Sequence, residues 1–99
     1  MTSTDRVGCR TPAEGRDGVT NIPAWKFDAI RGAILAILSE GDMRWSELTE
    51  AVRARLSAEQ LDRMGKLGWH VVTVKLELEV RGEVVRRAVK GPQVIGVPA

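Results

Sequence analysis

Between His70 and Lys90 the chain sets out six side chains able to bond an anionic polymer: His70, Thr73, Lys75, Arg86, Arg87 and Lys90. A lysine ammonium can donate to guanine, and a threonine can bond a phosphate or touch a thymine methyl, so Lys75, Thr73 and their neighbour His70 suit a DNA groove. Arg86, Arg87 and Lys90 suit the phosphates, which they would hold without reading sequence. Each group also has a plainer explanation. His70, Thr73 and Lys75 could be solvated positions on an amphipathic helix, and the three later cations could protect the edge of a hairpin from aggregation. Arg53 and Arg55 are weaker candidates, because a place near a helix C-terminus already accounts for them.

Other chemistries find less support. His70 is the single histidine and Cys9 the single cysteine, and no acidic cluster at ligand spacing accompanies them, so no metal site is expected. Cys9 has no disulfide partner in the chain and reads as an ordinary arm residue in a reducing compartment. Ser46 and Ser57 read as helix caps rather than nucleophiles. Gly65 and Gly68 lack the lysine and hydroxyl of a phosphate-binding loop. The expectation is therefore a protein without enzymatic activity and without a cofactor. Trp25, Trp45 and Trp69 are read as core or interface rather than as stacking platforms for bases.

A chain of 99 residues, 43% hydrophobic and 28% charged, is the composition of one soluble domain. No run is long enough to cross a membrane, and the N-terminus has no apolar core flanked by bases, so a cytoplasmic location is expected. Net charge is only +2, but it is unevenly spread. Residues 51–99 carry nine bases against five acids, whereas residues 1–50 carry six against eight. The C-terminal half is the electropositive one.

These side chains need elements to carry them. Residues 1–22 show neither helical nor strand period and are expected to be a flexible N-terminal arm, with Val19, Ile22 and Pro23 able to lie against the body. Residues 23–99 would form the domain. Phe27, Ile30, Ile34, Ile37 and Leu38 recur at helical spacing over Trp25 to Ser39, with Gly41 as a left-handed stop. Gly32 within that helix invites a close neighbour, since glycine there costs roughly 1 kcal/mol against alanine. Met43 to Trp45 is a short strand, Ser46 caps a second helix to Leu56, and Ser57 with Gln60 forms a capping box for a third.

Residues 72–80 read two ways. Val72, Val74, Leu76, Leu78 and Val80 alternate with polar residues, which is a strand period and would lead to a three-stranded meander. Against this, Lys75 to Glu79 are good helix formers and Gly82 stands where a helix stops. On a helical wheel Val71, Val74 and Leu78 share one face, while Trp69, Val72, Leu76 and Val80 take the opposite one. A helix apolar on two faces must be covered on both. The second face therefore suggests an interface, and with it a homodimer.

Leu78-Glu79-Val80-Arg81-Gly82-Glu83-Val84 resembles the end of the reading helix in winged helix-turn-helix proteins, where a basic strand and a wing follow. Thr20 to Asp28, Gly68 to Glu83 and the Gly91-Pro92-Gln93 turn are similar to a family of small uncharacterised bacterial proteins, which brings no activity with it. The winged-helix likeness implies a mainly α fold with a small β-hairpin (α+β): three main helices and a C-terminal wing at 84–97. It also implies double-stranded DNA as partner and transcriptional regulation as role, read through a helix at 69–81. The same fold serves elsewhere as a protein-contact module, so a dimerisation or adaptor role stands as the alternative. Glu77 and Glu79 depart from a typical DNA reader, since carboxylates repel phosphates.

Overall fold

The 3.6-residue apolar period that begins after Pro23 produces α1 (Ala24–Ser39), which buries Phe27, Ile30, Ala33, Ile34, Ile37 and Leu38 in the core. The computed structural model describes residues 6–10, 20–87, 90–91 and 93–98. Helix α1 closes through Glu40, whose N–H donates to Ile37 O, and Gly41, whose N–H donates to Leu38 O. Gly41 takes φ +147°, so it turns the chain away rather than continuing as a left-handed stop. Gly32 faces solvent, and a Cβ there would meet nothing within 4 Å. The expected close neighbour is absent.

Two-residue strand β3 (Met43–Arg44) runs directly into α2 (Trp45–Arg53). Ser46 is not the cap. The N-cap is Arg44, in extended conformation and without a side-chain cap, because the Trp45 N–H is already donated to Gln93 O at 2.9 Å. Sheet pairing thus passes straight into the helix. Helix α2 stops at Arg53, three residues before Leu56, which lies in a turn whose N–H groups reach back to Glu50, Val52 and Arg53. Helix α3 (Ala58–Met64) has the expected capping box: Gln60 N donates to Ser57 Oγ at 3.0 Å, and Ser57 N donates to Gln60 Oε1 at 2.9 Å. Two backbone donors that a helix start leaves free are satisfied by two side chains.

Residues 72–80 are helical, inside α4 (Leu67–Arg81). Gly82, at φ 78° and ψ 14°, provides the left-handed stop. The strand-like alternation loses because helix formers fill the segment and its core face is complete: Leu67, Val71, Val74 and Leu78 are buried. Two short strands follow, β4 (Val85–Arg86) and β5 (Val94–Gly96). Strand β5 is central, pairing antiparallel with β3 on one side and β4 on the other. Val89 and Pro92 of the expected wing lie outside the described residues.

The expected arm needs correction. Strands β1 (Arg6–Cys9) and β2 (Thr20–Pro23) pair antiparallel, with Val7 opposite Ile22 and Cys9 opposite Thr20. Cys9 and Ile22 are buried in the same core as α1 and α4. Each four-residue strand was too short to show a period, yet places one apolar residue inward and continues, at Pro23, into α1. Val19 lies outside the described residues. Among the described residues the result is an α+β fold of four helices and two small antiparallel sheets.

Candidate contact surface

Helix α4 carries most of the expected site, and its wheel sorts those residues by what they touch. Lys75 does not reach the surface. Its side chain is 3% exposed, ion-paired with Glu79 one turn on, and its Nζ lies 4.6 Å from the centre of the Trp45 ring and 3.4 Å from Gln93 Oε1. An ammonium taken out of water needs such partners, and here they hold α4 to α2 and to the approach of β5. Lys75 as a guanine donor is therefore corrected: it is an internal tie. His70 is also buried, with Nδ1 2.8 Å from Lys66 O, so that nitrogen carries the proton it donates. Thr73 is half-buried and donates its hydroxyl to Trp69 O at 2.8 Å. Both satisfy the helix's own carbonyls rather than facing a ligand.

The cations of the expected wing are engaged as well. Arg86 Nε donates to Glu79 Oε1 at 3.2 Å and Oε2 at 3.3 Å. Arg87 Nε donates to Asp42 Oδ2 at 2.9 Å, and its Nη2 donates to Val97 O at 2.6 Å. Lys90 is exposed and has no ion pair among the described residues. Arg53 pairs with Glu50 and Arg55 with Glu40, so the excess of bases in this half is largely closed internally. Arg63 and Lys66, at the junction of α3 and α4, are exposed and likewise without an ion pair among the described residues.

The acids of α4 were the signal that sequence reasoning misassigned. Glu77 is 1% exposed, yet it accepts from the Arg10 backbone N (2.9 Å), Arg10 Nε (3.0 Å), Arg10 Nη2 (2.7 Å) and Arg81 Nε (2.8 Å). Those donors, Arg10 foremost, hold its carboxyl down at about 2 against the opposing effect of burial. Arg81 is itself stacked 4.8 Å from the Phe27 ring centre. Nearby, burial first and the Glu77 charge second push the Cys9 thiol up to about 11, so it is neutral and unreactive where it sits. Carboxylates alternating with leucines in a helix, with arginines before and after, were the available hint.

Apart from Arg81 at its C-terminal end, the large side chains that remain open on α4 are apolar. Trp69 is 49% exposed and Val72 39%, with Leu76 and Val80 half-buried further along the same face. The Trp69 indole meets the His70 ring edge-on at 4.9 Å, which fixes its orientation without covering it. Trp25, at the start of α1, is the third large apolar side chain left exposed among the described residues. Among the described residues no group of three or more His, Cys, Asp or Glu could hold a metal ion, and no helix is long and apolar enough to cross a membrane.

Comparison with known proteins gives a family and nothing finer. No curated protein and no solved structure matches the chain significantly. The profile of a family of unknown function, DUF6958, matches residues 6–95, nearly all of the sequence, and the chain belongs to that family.

Proposed function

We propose that this domain is a winged-helix module that works by protein contact, in the first place with a second copy of itself, through the Trp69, Val72, Leu76 and Val80 face of α4. The winged-helix reading is supported by the strand order: β3 lies between α1 and α2, β4 and β5 follow α4, and the returning strand β5 lies between β3 and β4 in the sheet. The contact reading rests on one observation above all, that along the body of α4 before Arg81 the large side chains left open are Trp69 and Val72 while the cation Lys75 is buried. A half-exposed tryptophan beside an exposed valine is an anchor of the kind protein interfaces favour. The charges of α4 from Lys75 to Arg81 are closed among themselves and with Arg10 and Arg86, so the face asks for no charged complement. An apolar face without net electrostatic demand is self-complementary across a two-fold axis.

Double-stranded DNA binding, with a regulatory role in transcription, is the second reading. Arg63 and Lys66 beside the start of α4, together with Lys90 on the wing, favour it: they are exposed cations that could meet phosphates. Sedimentation velocity on the wild type and on Trp69→Asp separates the two. The contact reading expects a dimer at micromolar concentration that Trp69→Asp converts to monomer. A wild type that is monomeric throughout sinks it. Fluorescence anisotropy with random-sequence duplex at low and moderate salt tests the other. Binding that weakens steeply with salt and survives in Trp69→Asp would establish DNA instead.

A further inference from the structure

Strand β1 meets α4 along its Glu77 flank, through the Arg10 that follows the strand, and this contact is independent of the Trp69 face. Strand β2 runs through Pro23 into α1 and is fixed by that continuity, whereas β1 is held from outside the helical body. Two strands of four residues are not stable as an isolated hairpin. Three things hold β1: its ladder with β2, the inward packing of Val7 and Cys9, and the Arg10 clamp on Glu77. The clamp recognises both the backbone N–H and the guanidinium of the residue that follows the strand. Arg10 itself is 50% exposed.

Glu77 would not be stranded if β1 left. Arg81 Nε remains at 2.8 Å, held from its own helix and against Phe27. The buried carboxylate keeps a cation in either condition, which removes the main penalty against opening. Beneath β1 are then a free edge of β2, the apolar seat of Val7 and Cys9, and a carboxylate with three acceptor positions vacated by Arg10. These are the parts of a strand-addition site: backbone bonds supply affinity, alternate side chains fill pockets, and a charged anchor sets register.

We propose that the β2 edge and Glu77 form a docking site for an extended segment with the pattern Val-x-Cys-Arg, filled in cis by β1 and open to exchange with the same strand of a second copy. The charge complementarity is specific. A guanidinium bonds both carboxylate oxygens at once, so a lysine at the anchor position would not replace Arg10. Identical chains carry the fitting strand by construction, which makes strand exchange the occupant that this site selects.

The single cysteine makes the test clean, since any thiol modification reports Cys9. In the full chain, modification of Cys9 by a disulfide reagent should proceed in the wild type at a rate almost insensitive to low urea, the mark of local opening. Arg10→Ala, which leaves Glu77 paired with Arg81, should raise that rate by at least about tenfold, as expected for losing charge-assisted bonds to a buried carboxylate. Asp42→Asn breaks the Arg87 pair in the other sheet and should leave the rate unchanged. Added peptide of residues 1–10 with Cys9→Ser should accelerate modification saturably by holding the chain's own strand out, and the same peptide with Arg10→Ala should not. A modification rate that rises steeply with urea in step with global unfolding, or that stays flat across the peptide titration, overturns the proposal.

Discussion

Glu77 and Glu79 stand two positions apart on α4 and each fastens one sheet, but they do so with opposite electrostatic construction. At Glu77 the anion alone is buried, and its cations Arg10 and Arg81 reach in from the surface. At Glu79 both partners of the inner pair are buried, Lys75 at 3% and the carboxylate at 8% exposed, while Arg86 adds an outer contact. The first is a latch whose removable part is solvated and whose carboxylate has a reserve partner. The second is a rivet: Lys75 cannot lose Glu79 without leaving an ammonium in a poorly solvated place, although Arg86 would stay with Glu79 from outside. Strand β1 therefore has a low-cost way to part from α4 that the β3–β5–β4 sheet lacks.

The largest effect is expected where the cation is buried. Glu79→Gln strands the Lys75 ammonium against Trp45 and Gln93, and urea denaturation should show a loss of about 3–5 kcal/mol. Glu77→Gln should cost less, about 2–3 kcal/mol, because no buried cation is left behind. A Glu77 variant that is the less stable of the two would break the comparison. The Glu77 contribution also has a signature in acid. Its carboxyl is held at about 2 when folded against an ordinary value of 4.5. A depressed folded value means the stabilisation is fully present above the ordinary value and is lost as pH falls through the folded one. The stability difference between wild type and Glu77→Gln should therefore be constant near neutrality, shrink as pH falls below about 4.5, and vanish near about 2. Urea midpoints measured down the pH scale would show it, and a difference independent of pH would place the Glu77 contribution elsewhere.

The helical scaffold was legible because its signals are local. The apolar period of α1, the Ser57 and Gln60 capping box and the Gly82 stop each lie within a few residues, and each appears in the fold. The face that carries Trp69 and Val72 was legible for the same reason. What stayed hidden depends on partners far away in sequence. Lys75 looked like a solvent-facing donor until Trp45 and Gln93 closed over it, and Glu77 and Glu79 looked like obstacles to phosphate until Arg10 and Arg86 reached them. Strand β1 was illegible because four residues containing a glycine carry no period, and its place is decided by a carboxylate 67 positions along the chain. In a domain this small, ion pairs between distant segments decide which of the charged residues remain on the surface.

A smaller effect tests the β3–β5–β4 sheet from its other side. Gly96 in β5 carries the Asp42–Arg87 pair directly over its Cα: a Cβ there would run into Asp42 Oδ1 and lie 2.7 Å from Arg87 Nη2. The pair is partly solvated, and Arg87 also donates to Val97 O, so the sheet edge, rather than the core, would absorb the displacement. Gly96→Ala should consequently cost about 1–2 kcal/mol, less than either carboxylate variant, through a shifted ion pair and some strain in β5. If the clash is the cause, Asp42→Ala should cost well under about 1 kcal/mol alone, as an exposed ion pair does, and should recover most of the Gly96→Ala loss when the two are combined. Additive losses in the double variant would mean that Arg87, rather than Asp42, is what the added methyl group displaces.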